Sequence, residues 1–270
     1  MSYLIFIVAV GLFALLGAGG PLHRDNWFDA LSRRVDAVEL DLWPSLFLRV
    51  AAPLIGAGIA LLLLAVFFGE LADALVGLVL LYFAWGRGDY ATDLARFLAR
   101  ARVGDQEGAD MLLTERARQA DSNETDGRRA MRDFAYRGFS RWFPPVLYFW
   151  LLGPFAAAAY RLVELANSRS DGQFDAALKL LDWLPARLLV LTFSVLGDFE
   201  RTRRVLTSEA FDQSISESEL LTRGIECAWH LDDASSASLD SAVTAVETTQ
   251  KAITRATAAW LVVISLMALL

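Results

Sequence analysis

One cysteine, two histidines and two lysines are all that the 270 residues contain of those types. Cys227 alone closes no disulfide within the chain, so nothing covalent constrains the fold and the redox compartment stays open. His23, Cys227 and His230 are the only imidazole and thiol donors, and their separation matches no metal-ligand spacing. Lys179 and Lys251 are the only lysines; every other base is arginine, a bias of composition from which no function follows. Also missing are the GxxxxGK[ST] phosphate loop, a GxGxxG after a strand, HExxH, CxxC and the GxSxG elbow. No catalytic centre announces itself by spacing. The net charge of −7 and the lack of a basic patch interleaved with aromatics exclude a nucleic-acid partner. No internal repeat, coiled-coil heptad or low-complexity tract is present.

What the chain does have is apolar residues in long blocks. It is 55% hydrophobic with a mean hydropathy of +0.39, and its apolar stretches outrun the roughly 14 residues at which buried core helices usually stop. These features predict an all-α polytopic membrane protein with cytoplasmic helical segments. Residues 1–85 hold a first span (Tyr3 to Leu22), an amphipathic stretch and a hairpin. The first block lacks a basic n-region and is followed by Arg24, Arg33 and Arg34, so it reads as a retained span with its amino terminus outside. Trp27, Leu31 and Val35 recur four apart, predicting an interfacial helix on the cytoplasmic side with that stripe as its apolar face. Phe47 to Phe68 and Leu71 to Trp85, parted only by Gly69 and Glu70, read as antiparallel spans.

Residues 86–142 carry eleven arginines, an inside marker by the positive-inside rule. Tyr90, Leu94, Phe97, Leu98 and Ala101 define one helix face there, and Asp121 to Gly127 reads as a loop. Residues 143–197 hold a span from Phe143 to Val163, expected to kink at Pro154. Gly153 and Ala157 form a small-xxx-small pair that fits close packing within the chain or across a homodimer. A polar turn from Asn167 to Gly172 follows, then a helix through LDWLPARL that is either re-entrant or a full span. Residues 198–256 are acidic and soluble, with a helix over Leu220 to His230. Residues 257–270 form a terminal anchor.

Two stretches, LLGPFAAAAYRLVELANS (Leu151 to Ser168) and LDWLPARL (Leu181 to Leu188), resemble the AmpE family, and through it the CobD/CbiB membrane enzymes of cobalamin assembly. The order of elements, with GRGDYATDL opening the Arg-rich segment, is similar as far as Gly197. The resemblance implies a multi-pass bacterial inner-membrane protein, a sensor or signal transducer linked to cell-wall recycling and β-lactamase induction. It departs from the enzymes where they carry an acidic, Asn-containing ENTxDG-like motif: AYRGFSRWFPP (Ala135 to Pro145) has no carboxylate, and Mg²⁺ with phosphates needs hard oxygen ligands.

Two functions follow as expectations. In the first, a cavity binds an anionic small molecule, a muropeptide or a nucleotide, through Arg137, Arg141, Tyr160, Arg161, Asn167, Asp182 and Arg187, because guanidinium forks match phosphate and carboxylate. No cofactor is needed. Arg161 could instead reach the membrane interface, and Asp182 could pair with Arg187. In the second, ATP-linked amide synthesis survives with Mg²⁺, and Glu124, Asp126, Asp133, Glu164, Asp171 and Asp182 converge beside Asn167.

Overall fold

The computed structural model describes residues 2–16, 25–85, 90–114, 117, 126–212, 214–231 and 239–269, and among them every regular element is helical. They divide into two units: residues 1–88 with 144–181, and residues 89–143 with 182–270.

The first unit begins with α1 (Ser2–Leu16) and α2 (Asn26–Asp36). It continues with α3 (Leu42–Phe68) and α4 (Leu71–Ala84). Among the described residues α3 is the one helix long and apolar enough to cross a membrane, and none of its apolar window is buried. At about 1.5 Å per residue it reaches about 40 Å, more than the roughly 30 Å of a hydrocarbon core. It starts five residues before the expected block, because Pro44 falls in the first turn, where a missing N–H breaks no helical bond. The expected hairpin is present: Gly69 turns the chain with φ +54° and α4 follows at once. The remaining apolar helices, Tyr3–Phe13 and Leu71–Ala84, are shorter.

α1 packs by aromatic edges on Trp85, which caps α4, and on Trp150: Phe6 meets Trp85 at 6.2 Å and Trp150 at 5.9 Å, and Phe13 meets Trp85 at 5.6 Å. The helix expected over Trp27 to Val35 forms, but its buried face is Phe28, Ser32 and Val35, so that of the expected stripe Val35 is buried and Leu31 only partly so. Phe28 has no polar atom and packs with Leu46, Tyr160 and Leu162. Trp27 is 42% exposed and tilts over Phe83.

The block from Phe143 to Val163 is not one kinked helix. α7 (Asp126–Leu152) runs unbroken through Pro144 and Pro145, and α8 (Pro154–Arg169) starts afresh at Pro154. Gly153 between them has φ +89° and ψ −177°, a backbone region that only glycine enters freely. Pro154 then takes the first helical position, where its fixed φ is an asset. The small-residue pair is corrected too. A side chain at Gly153 would meet nothing within 4 Å, so within the chain this glycine turns the backbone and packs no helix, while Ala157 is fully buried.

The second unit holds α5 (Tyr90–Arg102), α6 (Gln106–Asp110) and α7 as far as Phe143. α9 (Asp175–Leu196) is one continuous helix that enters this unit at Asp182. It is followed by α10 (Phe199–Arg204), a π turn at Val205–Glu209, α11 (Glu217–Trp229) and α12 (Leu239–Leu269). Leu94, Phe97, Leu98 and Ala101 are buried as expected, against Ala130, Phe134 and Val246. A larger core joins Phe139 and Phe143 to Leu189, Val190, Phe193, Leu221, Ile225 and Ile253. The helix expected at Leu220 to His230 is α11, with His230 capping it in the left-handed region at φ +57°. The loop expected at Asp121 to Gly127 lies outside the described residues except for Asp126 and Gly127, which open α7. Of the segment expected at 257–270, residues 257–269 are the end of α12, a helix that begins 18 residues before 257 at Leu239.

Candidate functional site

The seven residues expected to hold an anion fall into two groups. Tyr160, Arg161 and Asn167 lie on α8 in the first unit; Arg137, Arg141, Asp182 and Arg187 lie on α7 and α9 in the second. In the first unit, Tyr160 is buried and stacks on Tyr148 at 5.9 Å. Arg161 does not reach outward to an interface. It is buried, with Glu164 at 2.6 Å one turn on and Asp25 at 3.9 Å. A guanidinium kept from water needs such carboxylates close by.

Asn167 was expected in a polar turn, but α8 continues past it to Arg169. Its Oδ1 accepts the Phe174 backbone N–H at 2.9 Å and its Nδ2 donates to Asp175 at 2.8 Å. It therefore ties the end of one helix to the start of the next and satisfies a backbone donor that the new helix leaves open. Asn167→Ala is expected to lower stability by about 1–3 kcal/mol, the cost of orphaning a buried donor. Thermal unfolding in detergent measures it; an unshifted midpoint would show that these bonds contribute nothing.

In the second unit Arg137 is a hub. It donates to Asp93 at 2.6 Å and to the Leu112 carbonyl at 3.3 Å, lies 3.5 Å from Asp133, and covers the Phe134 ring at 5.1 Å. Asp133 in turn accepts from the Thr114 hydroxyl at 2.5 Å. One cation thus joins α5, the segment after α6, and α7. Tyr90 lies beside it: its ring packs on Gly138, and its buried hydroxyl has no hydrogen-bond partner. Burial pushes the Tyr90 phenol above its ordinary pKa, opposed by the positive charges of Arg137 and Arg141.

The expected Asp182–Arg187 pair does not form. The Tyr136 hydroxyl donates to Asp182 at 2.7 Å. Arg187 donates to the Ala210 carbonyl at 2.6 Å, sits 3.5 Å from Glu217 and lies over Trp183 at 4.7 Å. Five residues apart, the two side chains point to different sides of α9, since helical neighbours are three or four apart.

Two clusters escaped the reading of the sequence. Arg49, the one base inside the apolar α3, is buried; it pairs with Asp36 and donates to Ser170 at 2.9 Å. Its signal was plain, because a charge inside an apolar span is a marked position. The other joins α7 to α11. Arg128 meets Glu219 at 2.7 Å and Glu226 at 2.8 Å, and Arg223 meets Glu219 at 2.7 Å and Glu209 at 2.9 Å. Burial raises both carboxyls. For Glu219 the bonds from Arg128 and Arg223 outweigh it and hold the group below its ordinary pKa, whereas for Glu226 burial prevails and the pKa rises.

The acids that amide synthesis would require do not converge. Asp133 serves Thr114 and Arg137, Glu164 serves Arg161, Asp182 serves Tyr136, and Asp171 is exposed at a turn. Glu124 lies outside the described residues, as does the side chain of Asp126. Among the described residues no three His, Cys, Asp or Glu side chains are grouped to hold a metal ion, and His23 is not among them.

A family model described as "Regulatory signalling modulator protein AmpE" matches residues 1–270, the whole length. The chain belongs to the AmpE family. No curated protein and no solved structure matches it. The wider kinship with the CobD/CbiB enzymes finds no support in these comparisons.

Proposed function

We propose that this chain is a multi-pass bacterial inner-membrane protein that modulates the signalling tied to cell-wall recycling and β-lactamase induction. The observation that carries the membrane part is α3: 27 residues, apolar, paired with α4 through a two-residue turn, and bare along its window. Exposed residues such as Leu62, Val66 and Phe67 would cost free energy in water and gain it in lipid. The signalling part rests on the family match over the full length. The Arg-dense segment from Gly86 to Trp142 faces the cytoplasm in this reading, in keeping with the positive-inside rule.

The ligand in this reading is an anion, and Arg141, near the buried Tyr90 hydroxyl, is the base whose change tests it, since Arg137 is already closed on Asp93 and Asp133. A muropeptide or nucleotide fits that chemistry. The test is disruption of the gene in a host with inducible β-lactamase, complemented by the natural chain or by R141Q. Altered induction that the natural chain restores and R141Q does not is the expected result. Induction unchanged by the disruption would overturn the signalling role.

A further inference from the structure

α2, α3, α4 and α8 enclose a cleft of about 350 Å³ in the first unit, lined by Trp27, Pro53, Leu54, Val79, Phe83 and Leu162 among others, all apolar. Small-ligand sites begin at roughly this size. Pro53 and Leu54 lie about 20 Å back from the hairpin turn along α3, and Phe83 lies at the far end of α4 from it, so the cleft belongs to the half of the hairpin remote from Gly69. Trp27 sits at its edge with its ring 6.0 Å from Phe83.

The charges around α2 are sorted. Its acids and their neighbours turn to bases on other helices: Asp25 to Arg161, Asp29 to Arg169 at 3.3 Å, and Asp36 to Arg49. That leaves Arg33 and Arg34 exposed, with no carboxylate partner among the described residues. The exposed acids Glu39 and Asp41 follow in the next turn and pair with neither. Arg34 is seven residues from Trp27, two turns along the same face, about 10 Å away. An apolar slot under a tryptophan lip, with two unneutralised guanidiniums about 10 Å along the surface, is complementary to one kind of molecule: hydrocarbon chain at one end, negative headgroup at the other.

We propose that this cleft is a binding site for an anionic phospholipid of the cytoplasmic leaflet, its acyl chain between α3 and α4 and its phosphate on Arg33 and Arg34. The proposal rests on the membrane reading above. It goes further, because lipid merely surrounding α3 would need neither a cleft nor a preferred charge.

The test is native mass spectrometry of the full chain in detergent, titrated with phosphatidylglycerol or phosphatidylcholine. The natural chain is expected to retain phosphatidylglycerol in preference. V79W, which fills the slot from a half-exposed position, is expected to lose bound lipid while eluting and melting like the natural chain. L63W, on α3 but outside the cleft, is expected to bind as before. R33Q/R34Q keeps the slot but loses the preference, by about fivefold for each base removed near the surface. Equal retention of the two lipids, or V79W binding as well as the natural chain, would overturn the site. Displacement of the lipid by inorganic phosphate alone would also overturn it, leaving a headgroup anion site with no role for the cleft. A chain that stays monodisperse without detergent would instead remove the membrane reading itself, so the two failures are distinguishable.

Discussion

Ile59→Arg and Leu62→Arg, made together, are expected to keep α3 out of the bilayer. The two side chains are 53% and 71% exposed, and nothing in the fold leans on them. In water such surface positions accept a charge within about ±0.5 kcal/mol. In lipid an arginine at the centre of a span costs roughly 2.5–3.5 kcal/mol, so the pair costs several. The same double change is therefore nearly silent in one solvent and crippling in the other. The yield in the membrane fraction reads the difference: the natural chain accumulates there, and the variant, with α3 excluded from the bilayer, is degraded. If the variant accumulates and melts like the natural chain, α3 does not lie in lipid. Signalling should fail with insertion, and the induction assay then tells whether the membrane position is needed.

Phe193→Ala is expected to have the largest effect on the second unit. Phe193 is fully buried on α9, edge-on to Trp229 at 5.6 Å and near Gly224, where a side chain would already crowd Val190. Helices this close cannot move in to fill the space of a lost ring. The cost is therefore at the upper end for such a change, about 3–5 kcal/mol. Thermal unfolding in detergent, followed by tryptophan emission, should show the loss. Trp183 offers a contrast on the same helix: it is partly exposed under Arg187 and Phe211, and its removal is expected to cost less. A smaller loss for Phe193→Ala than for Trp183→Ala would mean that the core around Val190 and Ile225 is not packed as described.

The apolar blocks, the hairpin at Gly69, the α5 face and the α11 helix were legible in the sequence because each depends on neighbours within a few turns. Helical periodicity and a two-residue turn are local facts, written in local order. The site was less legible. Arginines stood out as anion binders, yet Arg137 closes on Asp93, and Arg187 on Glu217, partners 44 and 30 residues away in the chain. Charge is visible in a sequence; who neutralises it is not. Gly153 and Pro154 were read as a packing face and a kink because both belong to either pattern. The glycine's φ decided for a break.

From the residues alone come the helical class, the apolar blocks and the crowding of arginine into one segment, since these follow from composition and from the 3.6-residue period. The tertiary structure decided which face of α2 is buried, which arginines are closed on carboxylates, and that Arg33 and Arg34 meet none among the described residues. The physical reason is range. Hydrophobic patterning acts along one helix, whereas the pairing of a buried charge is decided by whatever distant carboxylate the fold brings within about 4 Å, where desolvation makes the partner obligatory.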